Sequence, residues 1–558
     1  MFNRTSQIFK SFSRYERYIF LASFLAFIAS FVFLLTGFIN KNTFLAPVSG
    51  GEYKEGVVGQ PTFINPVLIG NNDTDRDLTE LIFSDLLDLA DSYKVDSQGA
   101  IWNVRLKENI FWHDGKAITS DDVIFTVRAI QDSDARSPFF SNWQGVVAER
   151  ISEREVKFVL SAPYAFFDGT LKELRPIPKH LFSDIPAANL KLSNYNLEPI
   201  GSGPFKFDSL QKRHDGFIVD YKLARNENYF GQKPYLDRFI LKFYLNDNEM
   251  IGAFNSGAID GFGGVNPKDL TDINLDYQAF EMTMPKYYAI FFNVNSQPLL
   301  SDKNIKSALS FATDRQAIIK NVFLDNALPV FGPLIPSIEG YRSDIFQDDY
   351  SKVEFEKANK LLDNDGWIIN NEGIREKEFA KGKKKEILKL EFKLVVPEMP
   401  FLVETANIIQ EDWKKIGVKL DLVVLQAADI NNEIIKTRDY EMILFGNILG
   451  RNPDMFSFWH SSERFYPGLN LSLYDSVEAD ALIESIRKDL KEESRQRSLD
   501  KFQLLIAVDQ PAIFLYSPFY FYVGKNQFGG FDKKFISLPS DRFENVEKWY
   551  LKTERRFK

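Results

Sequence analysis

Hydrophobic and polar positions follow several distinct periods along this chain of 558 residues. The first pattern has no polar positions to alternate with: residues 18–39 (YIFLASFLAFIASFVFLLTGFI) are a run of 22 without a charge. At about 1.5 Å per residue, a helix of that length spans the roughly 30 Å hydrocarbon layer of a bilayer. A cleaved signal peptide needs a shorter apolar core and a small-x-small site. The adjoining NKNTFLAPVSG (40–50) has no A-x-A pattern, so an uncleaved anchor is expected. Arg4, Lys10, Arg14 and Arg17 outweigh Glu16 before the run. That bias makes 1–17 a basic cytoplasmic segment and places everything from about residue 41 outside the cell membrane, single-pass. No second uncharged run approaches this length, which excludes a channel or a multi-span transporter.

Beyond the run, residues 40–51 read as a polar tether broken by Gly50 and Gly51. Leu78, Leu81, Ile82, Leu86 and Leu89 keep helical spacing and predict a helix over 77–90. Residues 102–106 alternate, Asp114-Gly115 marks a turn, and Thr119 or Ser120 caps a helix carrying Val123, Ile124, Val127 and Ile130. Two strands around a polar turn (205–223) and another at 238–244 make the stretch from 52 to about 280 mostly β. From residue 304 the period changes. Ile305, Ala308, Leu309, Ala312, Ile319 and Val322 predict a helix over 304–323, succeeded by another over 353–362. Leu388, Leu390, Phe392, Leu394 and Val396 alternate as a strand. An amphipathic stretch (400–416) and a strand (418–425) come next, so this is a βαβ unit with a parallel pair. Helices over 477–490 and 492–508 precede a strand-like segment, 512–523. The KGKKK run (381–385) reads as a solvated loop.

Composition narrows the chemistry. The chain is 44% hydrophobic and 26% charged, which is that of folded protein, long enough for several domains or two large lobes. It has no cysteine, excluding disulfides, thiolate metal sites, a cysteine nucleophile and a lipidated cysteine. Its four histidines, His113, His180, His214 and His460, are not at metal-ligand spacings, so neither a metal nor a cofactor is expected. The net charge of -9 divides into +3 over residues 1–40 and -12 over the rest, an acidic body that argues against nucleic acid as a partner. Serine-hydrolase elbows, Walker A loops, H-E-x-x-H helices and dinucleotide fingerprints are absent. Gly201-Ser202-Gly203 precedes Pro204 and a strand, so it reads as a tight turn. Paired carboxylates for glycoside hydrolysis cannot be nominated from spacing.

Nine segments in order resemble the extracellular solute-binding proteins of peptide and nickel ABC importers, the large two-lobed class. They are EGVVGQPTFINP (55–66), NIFWHDGKAITSDDVIFT (109–126), IPKHLF (177–182), PIGSGPFKF (199–207), RNENYFGQKPY (225–235), NSGAID (255–260), FFNVNSQPLLSDKNIKSALSFATDR (291–315), EDWKKIGVKLDL (411–422) and NPDMFSFWHS (452–461). The resemblance implies an α/β, two-lobed periplasmic-binding-protein-like fold behind one transmembrane helix. Lobe one would comprise 52–285 plus 517–552 and lobe two 286–516, with hinges near 284–288 and 516–520. The implied activity is binding without catalysis, by a monomer that captures a peptide or other small solute and passes it to ABC permease subunits. A sensor on the same fold and an extracytoplasmic hydrolase are the competing readings. Relatives pair a peptide ammonium with an aspartate after the strand preceding N-P-D; the aligned residue here is Asn447, so Asp454 is the candidate substitute. Gln60, Thr62, Phe63, Trp143, Tyr288, Asn293 and Arg451 complete the expected cleft, with core packing the alternative for Trp143 and Tyr288.

Overall fold

The computed structural model describes residues 12–345, 352–381 and 384–558. Arg4 and Lys10 of the expected cytoplasmic segment, and Gly382 and Lys383 of the KGKKK run, lie outside the described residues. The first helix, Arg14–Asn42, starts at a capping box. The Glu16 backbone N–H donates to the Ser13 hydroxyl, and the Ser13 N–H donates to the Glu16 carboxylate. It is long and apolar enough to cross a membrane, and none of its residues is buried against protein.

The segment after this helix is not the loose tether expected from sequence. Thr43–Val48 pairs antiparallel with Lys552–Phe557 in a two-stranded ribbon, because a strand from the far end of the chain satisfies its backbone groups.

Two large sheets organise the body. The first has seven strands in the order Tyr277–Met282, Tyr520–Lys525, Gly261–Gly263, Glu52–Val58, Arg238–Tyr244, Ile218–Arg225 and Phe205–Lys212. A separate four-stranded sheet, residues 90–159, shares its apolar core, which holds Trp102, Trp112, Trp143 and Trp549. The second large sheet has six strands: Ala327–Pro329, Ala512–Pro518, Lys286–Phe292, Met442–Ile448, Glu391–Pro397 and Lys419–Leu425. Both faces of this second sheet are covered. On one lie Ile290, Phe292, Leu394, Leu444 and Leu515; on the other Tyr287, Phe291, Val395, Ile443 and Phe514. Burial on both faces explains why these strands read as nearly continuous apolar runs. The βαβ unit is present: Glu391–Pro397 and Lys419–Leu425 pair in parallel around the helix Pro400–Lys414.

Four sequence-predicted elements are split. The helix expected over 77–90 is Asp73–Ile82 and Leu86–Leu89. The Ile82 carbonyl, needed to continue the first turn, accepts instead from Ser202 and Gly203 N–H, and Asp85 caps the second turn. Residues 304–323 form Lys303–Phe311 and Arg315–Phe323, because Asp314 accepts from the Ala317 N–H and starts a new helix. At Leu390 the chain leaves a three-stranded sheet built around the hairpin Arg375–Lys381 and Lys384–Lys389 and enters the six-stranded one. Lys381 and Lys385, expected in a solvated loop, are thus strand residues of this hairpin, where Lys381 pairs with Lys384 and Lys385 with Ala380. The strand expected over 512–523 breaks at Phe519: Ala512–Pro518 belongs to the six-stranded sheet and Tyr520–Lys525 to the seven-stranded one.

The same exchange of sheets occurs at 283–285, between Tyr277–Met282 and Lys286–Phe292. The two lobes are thus joined by two neighbouring strand crossings, the geometry of a hinge.

Candidate functional site

The segment after the strand Met442–Ile448 runs along the seam between the lobes, with a cavity on either side. The inner cavity, about 220 Å³, is lined by Arg76, Glu80, Glu173, Arg175, Arg451 and Asp541, among others. The outer one, about 790 Å³, is lined by Tyr164, Asp454, Phe456, His460, Glu484 and Arg487, among others. Between the cavities the lobes touch closely. A Cβ on Gly169 would lie 2.4 Å from the amide nitrogen of Asn452.

Arg451 reaches from the second lobe to Asp541 at 3.0 Å and Glu544 at 3.7 Å of the first. Burial alone pushes Glu544 up, but the hydrogen bond from Lys533 and the charges of Arg451, Lys533 and Lys172 outweigh it and hold the carboxyl at about 2. Glu80, against Arg175, has the opposite balance: burial outweighs the guanidinium and lifts it to about 7.

At the outer cavity Asp454 receives the Tyr164 hydroxyl at 2.9 Å and faces Arg487 Nε at 3.2 Å, while its other oxygen accepts from the Phe456 N–H. The Ala165 N–H donates to the Arg487 carbonyl at 2.7 Å, and Arg487 lies over the rings of Tyr164 and Phe456. Lys268 and Glu404 form a further bridge across the seam at 2.8 Å. Several opposed polar contacts, most of them partly exposed, thus join the lobes beside the buried ring of Phe166, which packs in the apolar core of lobe two.

The residues expected in the cleft separate into three groups. Arg451 and Asp454 line the cavities. Gln60, Thr62 and Phe63 lie together after the strand Glu52–Val58, with their polar groups already engaged. Gln60 Oε1 accepts from the Ile218 N–H, and Thr62 and Phe63 donate to the buried Asp75 carboxylate. The other four face elsewhere. Trp143, expected to meet ligand, is 2% exposed and packs on Phe158 and Phe167, because its helical turn points the ring inward. Tyr288 packs on Phe401 and Tyr516 inside lobe two. Asn293 is a turn residue: it donates to the Arg438 carbonyl and accepts from the Asn295 and Ser296 N–H groups. Asn447, 3% exposed, donates to the Tyr287 hydroxyl on the covered face of its strand. Sequence reasoning does not find Tyr164, Arg487, Glu80, Arg175 and Asp541. They sit on loops and short helices or at helix ends, and only the folded chain brings them together.

No group of three or more histidines and carboxylates arranged for a metal occurs among the described residues.

A hinge of two strand crossings with polar cavities at the seam defines a two-lobed binding protein. A family model, bacterial extracellular solute-binding proteins, family 5, matches residues 87–465, and the chain belongs to that family. It is accordingly a solute-binding protein and not an enzyme. Among its relatives is the oligopeptide-binding protein AppA of Bacillus subtilis, 28% identical over 535 residues that cover 90% of this chain and 92% of AppA. The structure of AppA with a nonapeptide superimposes with a TM-score of 0.70 at 27% identity, covering 91% of this chain and 100% of that one. The substrate-binding protein CtaP of Listeria monocytogenes gives 0.76 at 26% identity, covering 90% and 99%.

Proposed function

We propose that this protein is tethered to the outer face of the cell membrane by its first helix, works as a monomer, encloses an oligopeptide or similar solute, and presents it to the permease of an ABC importer. Its lobes in this reading are 52–285 plus 517–552 and 286–516. The observation that carries the reading is the seam itself: two crossings, and cavities lined by side chains from both lobes. Carboxylates (Asp454, Glu463, Glu484) and cations (Arg487, Lys488) share the outer cavity, a mixture that matches a zwitterion such as a peptide better than a neutral sugar. AppA, named for oligopeptides and solved with one, supports the same ligand class.

Asn447 is unsuited to hold a peptide ammonium, being uncharged and turned into the core. Asp454 takes that role in this reading, exchanging Arg487 for the ligand. Mass spectrometry of solutes released from the purified full chain should detect peptides; a sugar or a metal chelate in their place refutes the ligand class. Calorimetric titration should show Asp454→Asn weakening free peptides far more than N-acetylated ones. The anchor is checked separately. The full chain should resist carbonate extraction, and a mature N-terminus near residue 46 in cells overturns it.

A further inference from the structure

The charge of the chain reverses where the body meets the anchor. The body is acidic, but Lys41 in the last turn of the first helix and Arg555, Arg556 and Lys558 at the adjoining end of the ribbon bring four cations together, with Glu554 in the same strand. The ribbon sets them in place. Thr43 pairs with Phe557, Phe44 with Arg556 and Leu45 with Arg555. Arg555 donates to Asn40 Oδ1 at 2.8 Å and Thr43 Oγ1 at 3.2 Å, and the Lys558 N–H donates to the Asn42 carbonyl at 2.9 Å. The far strand is thereby fastened to the last turn of the helix. Arg556 binds Glu554 at 2.6 Å, so the carboxylate is neutralised within the ribbon.

Large apolar side chains accompany these cations and are at least half exposed. Phe44 is 50% exposed, Leu45 61% and Phe557 72%. Because strand side chains alternate between faces, Leu45, Arg555 and Phe557 share one face and Phe44 and Arg556 the other. Each face therefore presents an aromatic ring beside a guanidinium. The apolar run ends at Ile39, and from there to Thr43 is about 6 Å of helix, while each headgroup layer is roughly 5–8 Å deep. The first residues of the ribbon consequently reach the outer limit of the headgroups. Aromatic rings concentrate at that level, and cations there bind anionic lipids.

We propose that the ribbon of residues 43–48 and 552–558 is a lipid-docking element that grips the anionic headgroups of the outer leaflet and so fixes the body against the membrane. This rests on the anchored reading above. It assigns the ribbon a bilayer partner and not a protein one.

The test uses the full chain in nanodiscs of phosphatidylcholine, with or without phosphatidylglycerol, and with lipids carrying a nitroxide on the headgroup. All seven native tryptophans are buried in the body, so Phe557→Trp adds a reporter at the ribbon tip. Its emission should be quenched by the headgroup nitroxide when phosphatidylglycerol is present, and this should fall at high salt. Removing two cations with R556Q/K558Q, which leaves the Arg555 fastening intact, should reduce docking by roughly thirtyfold. Equal quenching with and without phosphatidylglycerol overturns the charge recognition. A carbonate-resistant protein with an unquenched reporter overturns the docking element while leaving the anchor standing. A carbonate-extractable protein removes the anchor and this proposal together.

Discussion

Arg542 is 3% exposed yet charged, and its surroundings show why it is retained. Its guanidinium binds Asp77 at 2.6 and 2.7 Å and Glu55 at 3.1 and 3.2 Å, while the Tyr522 hydroxyl donates to Glu55 at 2.7 Å and meets the Tyr53 hydroxyl at 2.6 Å. Burial lifts the Glu55 carboxyl to about 7 even though Arg542 and Tyr522 pull it back. Arg542→Met would leave two buried carboxylates without a cation and should cost about 3–5 kcal/mol in denaturant unfolding. A loss below about 1 kcal/mol would refute this account. Glu544 behaves in the opposite sense. Its folded carboxyl sits at about 2 against an ordinary 4.5, so its stabilisation is fully present above pH 4.5 and is lost as pH falls towards 2. Glu544→Gln should remove that part of the acid limb, so that the variant and the parent converge in stability at low pH. An unchanged gap between them from pH 6 to about 2 would exclude the linkage.

Elements are governed by close approaches that hydrophobic periodicity does not report. Ser202 and Gly203 N–H groups cap the Ile82 carbonyl at 3.0 and 2.7 Å, and a Cβ on Gly201 would lie 2.1 Å from that oxygen. The backbone has no room to yield, so Gly201→Ala should destabilise by several kcal/mol in thermal or denaturant unfolding, well above the usual surface substitution. A variant as stable as the parent would show that the turn adapts. The sequence reading places this glycine pair in a scaffold turn but joins Asp73–Ile82 and Leu86–Leu89 into one helix, since Leu78, Ile82, Leu86 and Leu89 continue the helical period across the break. Likewise Ile513, Leu515 and Val523 read as one strand, although Phe519 passes the chain from one sheet to the other. Apolar period reports burial; it does not report which sheet or helix supplies the burial. Where one period serves one element, as in Pro400–Lys414 and its flanking parallel strands, the reading and the structure agree.

At the scale of the whole molecule, the two-lobed class is legible because nine motifs occur in order, but side-chain direction at the seam is not. Asn447 and Ile448 are neighbours on one strand, yet Asn447 is 3% exposed and Ile448 54%, and Ile448 lines the inner cavity. A one-residue difference in phase therefore separates the core from the cleft. The contacts that do cross the seam make a specific prediction about motion. Arg451 bridges to Asp541 and Glu544, and Asp454 joins Tyr164 and Arg487, so partly hydrated polar contacts support closure without ligand beside the apolar contact that Phe166 makes with the core of lobe two. Such contacts contribute about 1 kcal/mol each. Losing both sets should shift a balanced open–closed equilibrium by one to two orders of magnitude, since about 1.4 kcal/mol is tenfold. The combined variant Arg451→Ala with Tyr164→Phe should therefore show a larger radius of gyration than the parent in solution scattering without ligand, with unchanged secondary structure by circular dichroism. A saturating peptide, which supplies its own contacts to both lobes, should bring the two back to the same radius. Identical radii without ligand would mean that these bridges do not set the closed state and that the hinge crossings and the remaining seam contacts, Phe166 among them, hold it.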